Sequence, residues 1–218
     1  MNFLALETAT PMCSVALSVS GQVMARAELA ARGHAMRLLP WVDELLAEAE
    51  LGFAALDGVI VGRGPGGFTS LRIGLSVAQG IALAHDRPVY PVSSLAALAL
   101  AADPAGEHPR VLALIDARMG EVFAGWFRRE QAIPISLCPE KVLAPAEVSV
   151  CDDGPWLVAG SGLAAYHDLL VPSLGAAAAM LRPDVWPLAE YLFGLAEQTK
   201  PVPAWQVEPL YVRNRVTQ

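Results

Sequence analysis

The chain has 218 residues, 54% hydrophobic and 17% charged, with a net charge of −7 and a pI near 5.1. That length supports one large domain or two lobes of about 100 residues each. The acidic balance and the lack of a Lys/Arg cluster leave no basic stripe for gripping nucleic acid unaided. Charged residues fall below the usual proportion of about a quarter. Part of the apolar surplus is therefore expected at an interface with another chain.

Cys13, Cys138 and Cys151 are odd in number, widely spaced and free of any C-x-x-C. This points to a reducing compartment, without a disulfide frame or a zinc site. The opening residues carry Glu7 and no basic run, which does not read as a secretory leader. The longest uncharged stretches, Pro88 to Ala102 and Leu169 to Leu181, are too short to span a bilayer and contain Pro or Gly. A cytoplasmic protein with no membrane association is expected.

Asn2 to Thr8 reads as a buried strand and Cys13 to Val19 as a second. Ser20-Gly21 turns the chain into an alternating third strand, Gln22 to Leu29. His34 to Leu51 has helical spacing, with Leu38, Val42, Leu45 and Leu46 on one face and Trp41 beside them. Pro40 is read as sitting in its first turns, where a missing amide proton does least harm. Leu56 to Gly62 is a short apolar strand suited to burial on both faces. A Gly-rich turn leads to a helix from about Thr69 to His85. Val89 to Val92 is a strand, and Ser93 caps a helix reaching Ala102. The order βββαβαβα predicts an α/β, ribonuclease-H-like lobe over residues 1–104.

Residues 105–198 read as a smaller second lobe. Val111 to Asp116 and Glu121 to Phe127 are paired strands. Ile133 to Val150 reads as irregular because of Pro134, Pro139 and Pro145. Trp156 to Ala159 is a strand ending at Gly160-Ser161-Gly162, and helices follow near 163–170 and 188–198. The Pro-containing tail, 199–218, is expected to be extended and to pack back on the first lobe. Two strand-led halves suggest the duplicated, two-lobed plan of actin and Hsp70.

The segment Gly62 to Gly74, GRGPGGFTSLRIG, has two readings. Gly64, Gly66 and Gly67 with Thr69 could form an anion or nucleotide cradle at a helix start, with Glu7 reaching Mg²⁺ through water. Thr69 or Ser70 would cap the helix. Alternatively, the glycines only pack the helix close to the sheet. The missing Gly-Lys-Ser/Thr ending favours packing. Asp116 and Glu121 could pair for acid–base work, but no third group joins them, which favours a turn cap and a strand end.

The same segment resembles the GPGSFTGLRIG signature of the TsaB (YeaZ) family. Four more segments resemble that family in order: the opening MNFLALETATPMCSVALS, then RGHAMRLLPWVDELL, IDARMGEVF and PLYVRN. The resemblance implies a two-lobed actin/Hsp70-like fold with a reduced second lobe. It also implies a role in placing threonylcarbamoyl on adenosine 37 of tRNAs that read ANN codons (t6A). The chain would be a noncatalytic subunit that dimerises with and activates TsaD, the paralogue holding the transfer site. TsaE, an ATPase, joins the complex. ATP and Mg²⁺ are used by the complex, with no cofactor bound by this chain alone. In isolation a homodimer is implied, and tRNA is met only through the complex.

The residues agree with lost catalysis. His34 has Leu38, not a second His, four residues on, so the metal pair of the family's active paralogue is incomplete. His85, His108 and His167 read as scattered. The first turn, Glu7-Thr8-Ala9-Thr10, lacks the glycine of D-x-G-T. No catalytic or metal residue is assigned, and Tyr211 and Arg213 read as a tail anchor. The resemblance puts the partner surface on the first two helices, at His34, Arg37, Leu38, Trp41, Val42, Leu45, Leu71, Arg72, Leu75 and Gln79. On that reading, Leu38→Glu or Leu75→Glu breaks the pairing. The alternatives are an independent ATP-using kinase or acyltransferase of the same fold, and an oligomeric scaffold unrelated to RNA.

Overall fold

The computed structural model describes residues 1–30, 33–130, 133–150 and 154–212. Contacts divide the chain into two units. One is Met1–Ala97 with Pro187–Leu210, and the other is built on Leu98–Trp186.

The first unit opens with β1 (Asn2–Glu7), β2 (Met12–Val19) and β3 (Gln22–Leu29). Then come α1 (His34–Glu48), β4 (Gly58–Gly62), α2 (Phe68–Ala84) and β5 (Val89–Val92). The sheet order is β3-β2-β1-β4-β5. β1 runs antiparallel to β2 and parallel to β4, and β4 runs parallel to β5. This is the predicted βββαβαβα lobe, completed by α3 (Ser94–Ala102). The division between the units falls inside α3 rather than at residue 104.

The central strands show why these residues fold this way. Leu4, Leu6, Val15, Leu17, Val59 and Val61 form one apolar cluster with Leu38, Val42, Leu45, Leu75 and Ala78 of α1 and α2. The intervening Ala5, Ala16 and Ile60 are buried too, so the strands are covered on both faces, as parallel central strands must be. A helix missing from the first-unit reading, α6 (Leu192–Ala196), contacts β1, β4 and β5. Ala189, in the 3₁₀ turn before it, donates its N–H to Ser14 Oγ at 3.0 Å. The stretch 188–198 therefore belongs to the first unit, not to the second lobe. Beyond it, Val202 bridges Val89, and Leu210 N–H donates to Arg63 O at 2.8 Å.

The second unit contains β6 (Arg110–Arg118), β7 (Glu121–Glu130), β8 (Ile133–Ser136), β9 (Lys141–Leu143) and β10 (Trp156–Ala159). It continues with α4 (Ser161–Ala165), α5 (His167–Leu174) and β11 (Ala178–Arg182). The order is β11-β10-β6-β7-β8, with β9 also on β7. Three expectations change here. The stretch 133–150 is not wholly irregular: β8 and β9 both pair with β7, and the prolines fall at strand edges and turns. The single helix expected at 163–170 is two short ones. The strand β11 went unread because Ala-rich sequence has little intrinsic β preference, and its parallel pairing with β10 decides it.

Two local expectations also change in the first unit. Pro40 lies inside α1, beyond the first turn, on its exposed side. α2 starts at Phe68 with Gly67 as its N-cap and no side-chain cap. Ser70 Oγ instead donates back to Gly67 O at 3.1 Å. The expected Ser93 cap is present, taking Ala96 N–H at 3.0 Å.

Leu45 is fully buried whereas Leu39, on the same helix, is 46% exposed. Leu45→Ala should cost about 2–5 kcal/mol in urea unfolding, and Leu39→Ala no more than about 0.5 kcal/mol. Equal losses at the two positions would contradict the helix phase described here.

Candidate functional site: a closed turn and an outer helix face

The first turn after β1 and the Gly-rich turn after β4 are locked together. Glu7 is completely buried. Its Oε1 accepts Ala9 N–H at 2.7 Å and its Oε2 accepts the Ser94 hydroxyl at 2.8 Å. Ser94 Oγ also accepts Gly64 N–H at 3.2 Å, and Ser94 N–H donates to Gly64 O at 2.9 Å. Gly67 N–H donates to Ala9 O at 2.8 Å, and Thr8 Oγ1 to Ser70 O at 2.8 Å. Burial pushes the Glu7 carboxyl up from an ordinary 4.5 to about 6, and hydrogen bonds from the Ala9 amide, the Ser94 hydroxyl and the Thr8 amide only partly offset that.

Glycine is required for this fit at two places. A Cβ on Gly62 would lie 2.0 Å from Glu7 Oε2, and one on Gly66 would lie 2.2 Å from Ala9 O. The space those glycines leave is thus filled by the chain's own Glu7 and Ala9. The amides of Gly64 and Gly67 are spent on Ser94 and Ala9. Close packing accounts for these glycines. Thr69 is exposed on the first turn of α2 and does not join the Glu7 cluster.

The helices next to this turn show a different surface. Among the seventeen residues of α2, Arg72 is the sole charge, and it lies over the Phe68 ring at 3.9 Å. The outer side of α2 carries Ser76, Gly80, Leu83 and Ala84, with Leu83 65% exposed. α1 adds exposed Met36, Leu39 and Pro40. Leu39, Phe53, Val77, Gly80, Ile81 and Ala84 line an apolar groove of about 420 Å³. Phe53 and His85 stack at one end, with ring centroids 6.0 Å apart.

A family model described as TsaD, tRNA N6-adenosine threonylcarbamoyltransferase, matches residues 25–165. The TsaB protein of Haemophilus influenzae, a tRNA threonylcarbamoyladenosine biosynthesis protein, is 37% identical over all of this chain and 95% of its own. The Escherichia coli TsaB is 39% identical over 99% of this chain and 96% of its own. YeaZ from Pseudomonas aeruginosa superposes with a TM-score of 0.89 at 40% identity, covering 96% of this chain and 99% of that one. The chain belongs to the TsaB (YeaZ) family.

In this TsaB-family chain the residues assigned from the resemblance separate into two groups. Leu38, Val42, Leu45, Leu71 and Leu75 are core residues, each 4% exposed or less. His34 is also buried, and its Nε2–H donates to Thr10 O at 2.9 Å. Trp41 packs partly against the core. Gln79 Nε2 donates to Ala204 O at 3.2 Å and Val207 O at 3.3 Å, holding the tail. These eight face inward. Only Arg37, 3.2 Å from Glu28, and Arg72 stand on the outside. Leu38→Glu and Leu75→Glu would therefore test folding, not docking. The outward residues were still legible from helical phase: once Leu38, Val42 and Leu45 face the sheet, Leu39 and Asp43 must face away.

Elsewhere, Asp116 serves its own turn. It accepts Arg118 N–H at 2.8 Å and the Tyr166 hydroxyl at 3.3 Å. His108 is not isolated as read: its Nδ1 lies 3.3 Å from Asp103 Oδ1, with Glu107 close by. The buried Arg129 guanidinium, 3.9 Å from Asp103 Oδ2, opposes a cation there. Tyr211 is half exposed, and Arg213 and Cys151 lie outside the described residues.

Gly66→Ala should destabilise the first unit by about 2 kcal/mol or more, since the clash is with backbone. Gly80→Ala should be neutral or stabilise by about 0.5–1 kcal/mol, because nothing lies within 4 Å of a Cβ there. Thermal melts of both variants check this, and an unchanged melt for Gly66→Ala would contradict the closed turn.

Proposed function

We propose that this chain is a noncatalytic subunit of the machinery that makes threonylcarbamoyladenosine at position 37 of tRNA, and that it works by docking TsaD through the outer faces of α1 and α2. The relatives named above carry that biosynthetic role in their names. The observation that carries the docking reading is the surface of α2: a helix with a single charge, exposing Leu83, Ala84 and Gly80 beside an apolar groove. A helix needs one apolar stripe to cover its sheet, and Leu71, Leu75, Ala78 and Ala82 already supply it. The remaining apolar residues gain nothing from solvent and fit a partner's helix. Gly80 allows close approach of the two backbones.

The partner is a protein of the same fold, TsaD in the working complex and a second copy when the chain is alone. TsaE joins that assembly, ATP and Mg²⁺ are used by the assembly, and tRNA reaches the chain only through it. The acidic net charge supports this division of labour, as lone RNA binding requires a basic surface. A cytoplasmic setting fits the same reading. Among the described residues, no helix is long and apolar enough to cross a membrane. The independent-enzyme alternative gains no support from the Glu7 turn, which is occupied by the chain itself.

Purified chain should show negligible ATPase or transferase turnover, yet restore t6A formation to TsaD plus TsaE. Leu39→Glu and Gly80→Arg should each weaken TsaD binding about 100-fold or more while melting like the parent. Titration calorimetry and reconstituted tRNA modification measure both effects. Undiminished binding by both variants would overturn the docking face, and full activity without the chain would overturn the role.

A further inference from the structure

The turn that closes α2 carries a local conflict. Arg87 N–H donates to Ala82 O at 2.8 Å, and Asp86 takes the left-handed position of that turn at φ 51°. Glycine or asparagine closes such a turn without a charge. Asp86 instead sets an exposed carboxylate at the negative end of the helix dipole, where an anion is disfavoured. Among the described residues it forms no ion pair. The adjacent Arg87 guanidinium is engaged elsewhere, its Nη2 donating to Ala54 O at 2.8 Å.

Beside Asp86 lies an exposed tryptophan on a fixed support. Ala204 and Val207 are buried in the first unit's core, and Gln79 of α2 ties both of their carbonyls down. Val202, just before them, pairs with Val89. Between these anchors Trp205 is 71% exposed, so the fold leaves most of a large apolar ring in water. Trp205 lines a groove of about 340 Å³ with Leu83, Pro88, Pro201 and Pro203, and Asp86 lines it too. Leu83 is therefore shared between this groove and the outer face of α2.

We propose that the Trp205 turn is part of the surface that docks TsaD: the groove between Leu83 and Trp205 takes a large apolar side chain of that partner, and Asp86 pairs with a basic one beside it. This inference rests on the docking reading above and adds the tail to it. Continuity names the occupant, because a partner that covers Leu83 on α2 meets the groove Leu83 lines. Complementarity gives its chemistry. The walls are aliphatic, proline and indole, and the one charge left unpaired there is negative. A tryptophan already held in place loses little freedom on binding, which suits it as an anchor. The conflict at Asp86 is relieved when the partner's cation arrives.

The full chain, TsaD and two variants test it by titration calorimetry and thermal melts. Trp205→Ala should weaken TsaD binding about thirty-fold or more and melt like the parent, since the ring supports nothing in the free chain. Asp86→Asn should act in opposite directions. It should raise the melting temperature of the free chain by about 1–3 °C yet weaken TsaD binding about five-fold at low salt, with a smaller loss at high salt. Leu39→Glu separates the two readings. If it weakens binding while Trp205→Ala or Asp86→Asn binds like the parent, docking through α2 stands and this proposal is overturned. If Leu39→Glu also binds like the parent, the docking reading fails and this inference falls with it. Should Trp205→Ala not fold, the fluorine-19 resonance of fluorotryptophan at position 205 in the otherwise unaltered chain decides. A shift on adding TsaD supports the groove, and an unmoved resonance overturns it.

Discussion

A helix lying on a sheet can bury one stripe, and this rule governs the first unit. Leu38, Val42 and Leu45 of α1 and Leu71, Leu75 and Ala78 of α2 spend that stripe on the sheet. Their burial fixes the rotation of both helices. With rotation fixed, Met36, Leu39, Gly80, Leu83 and Ala84 must point outward, whatever their hydrophobicity. The outer face of α2, whose one charge is Arg72, is unusually poor in charge for a helix meant to stay in water, whereas that of α1 carries Arg37, Asp43, Glu44 and Glu48; the proposed docking role rests on the α2 face.

The turn beside those helices shows how the ribonuclease-H-like plan is put to structural use. Glycines after β4 and a short turn after β1 resemble a place where a phosphate could lie. In this chain the approach is made by Glu7 and Ala9 instead, at distances that forbid a Cβ on Gly62 or Gly66. The result joins β1, β4 and the start of α3 through one carboxyl and one hydroxyl. Rigidity is gained there, and a buried acid without a counter-ion is its cost.

The sequence made the first unit legible because its signals are local and agree. Period-two strands, a Ser20-Gly21 turn and two periodic helices left little choice, and the boundaries differ by a residue or two at most strands. The strand at 178–182 was opaque, and the segment 188–198 was legible as helical but not as part of the first unit, for a different reason. The strand depends on parallel pairing with Trp156–Ala159, and the place of the helix depends on packing against β1, β4 and β5, contacts distant in sequence. At the site, the residues that the family resemblance put on the partner surface lie on α1 and α2, but eight of the ten face inward. Leu38 and Leu75 looked as available as Leu39 and Val77 until the sheet settled their phase. Glu7 was legible as a carboxylate in a turn, but its partner Ser94, 87 residues away, was not.

Side-chain labelling by hydroxyl radicals tests the central claim most directly, because it reads outward-facing side chains in place. Met36 and Leu83 are 80% and 65% exposed in the first unit, and Met119 and Met180 are 68% and 42% exposed in the second. On adding TsaD, labelling of Met36, Leu39 and Leu83 should drop sharply while Met119 and Met180 stay as reactive as before. A complex that forms with Met36, Leu39 and Leu83 still fully labelled would contradict the account.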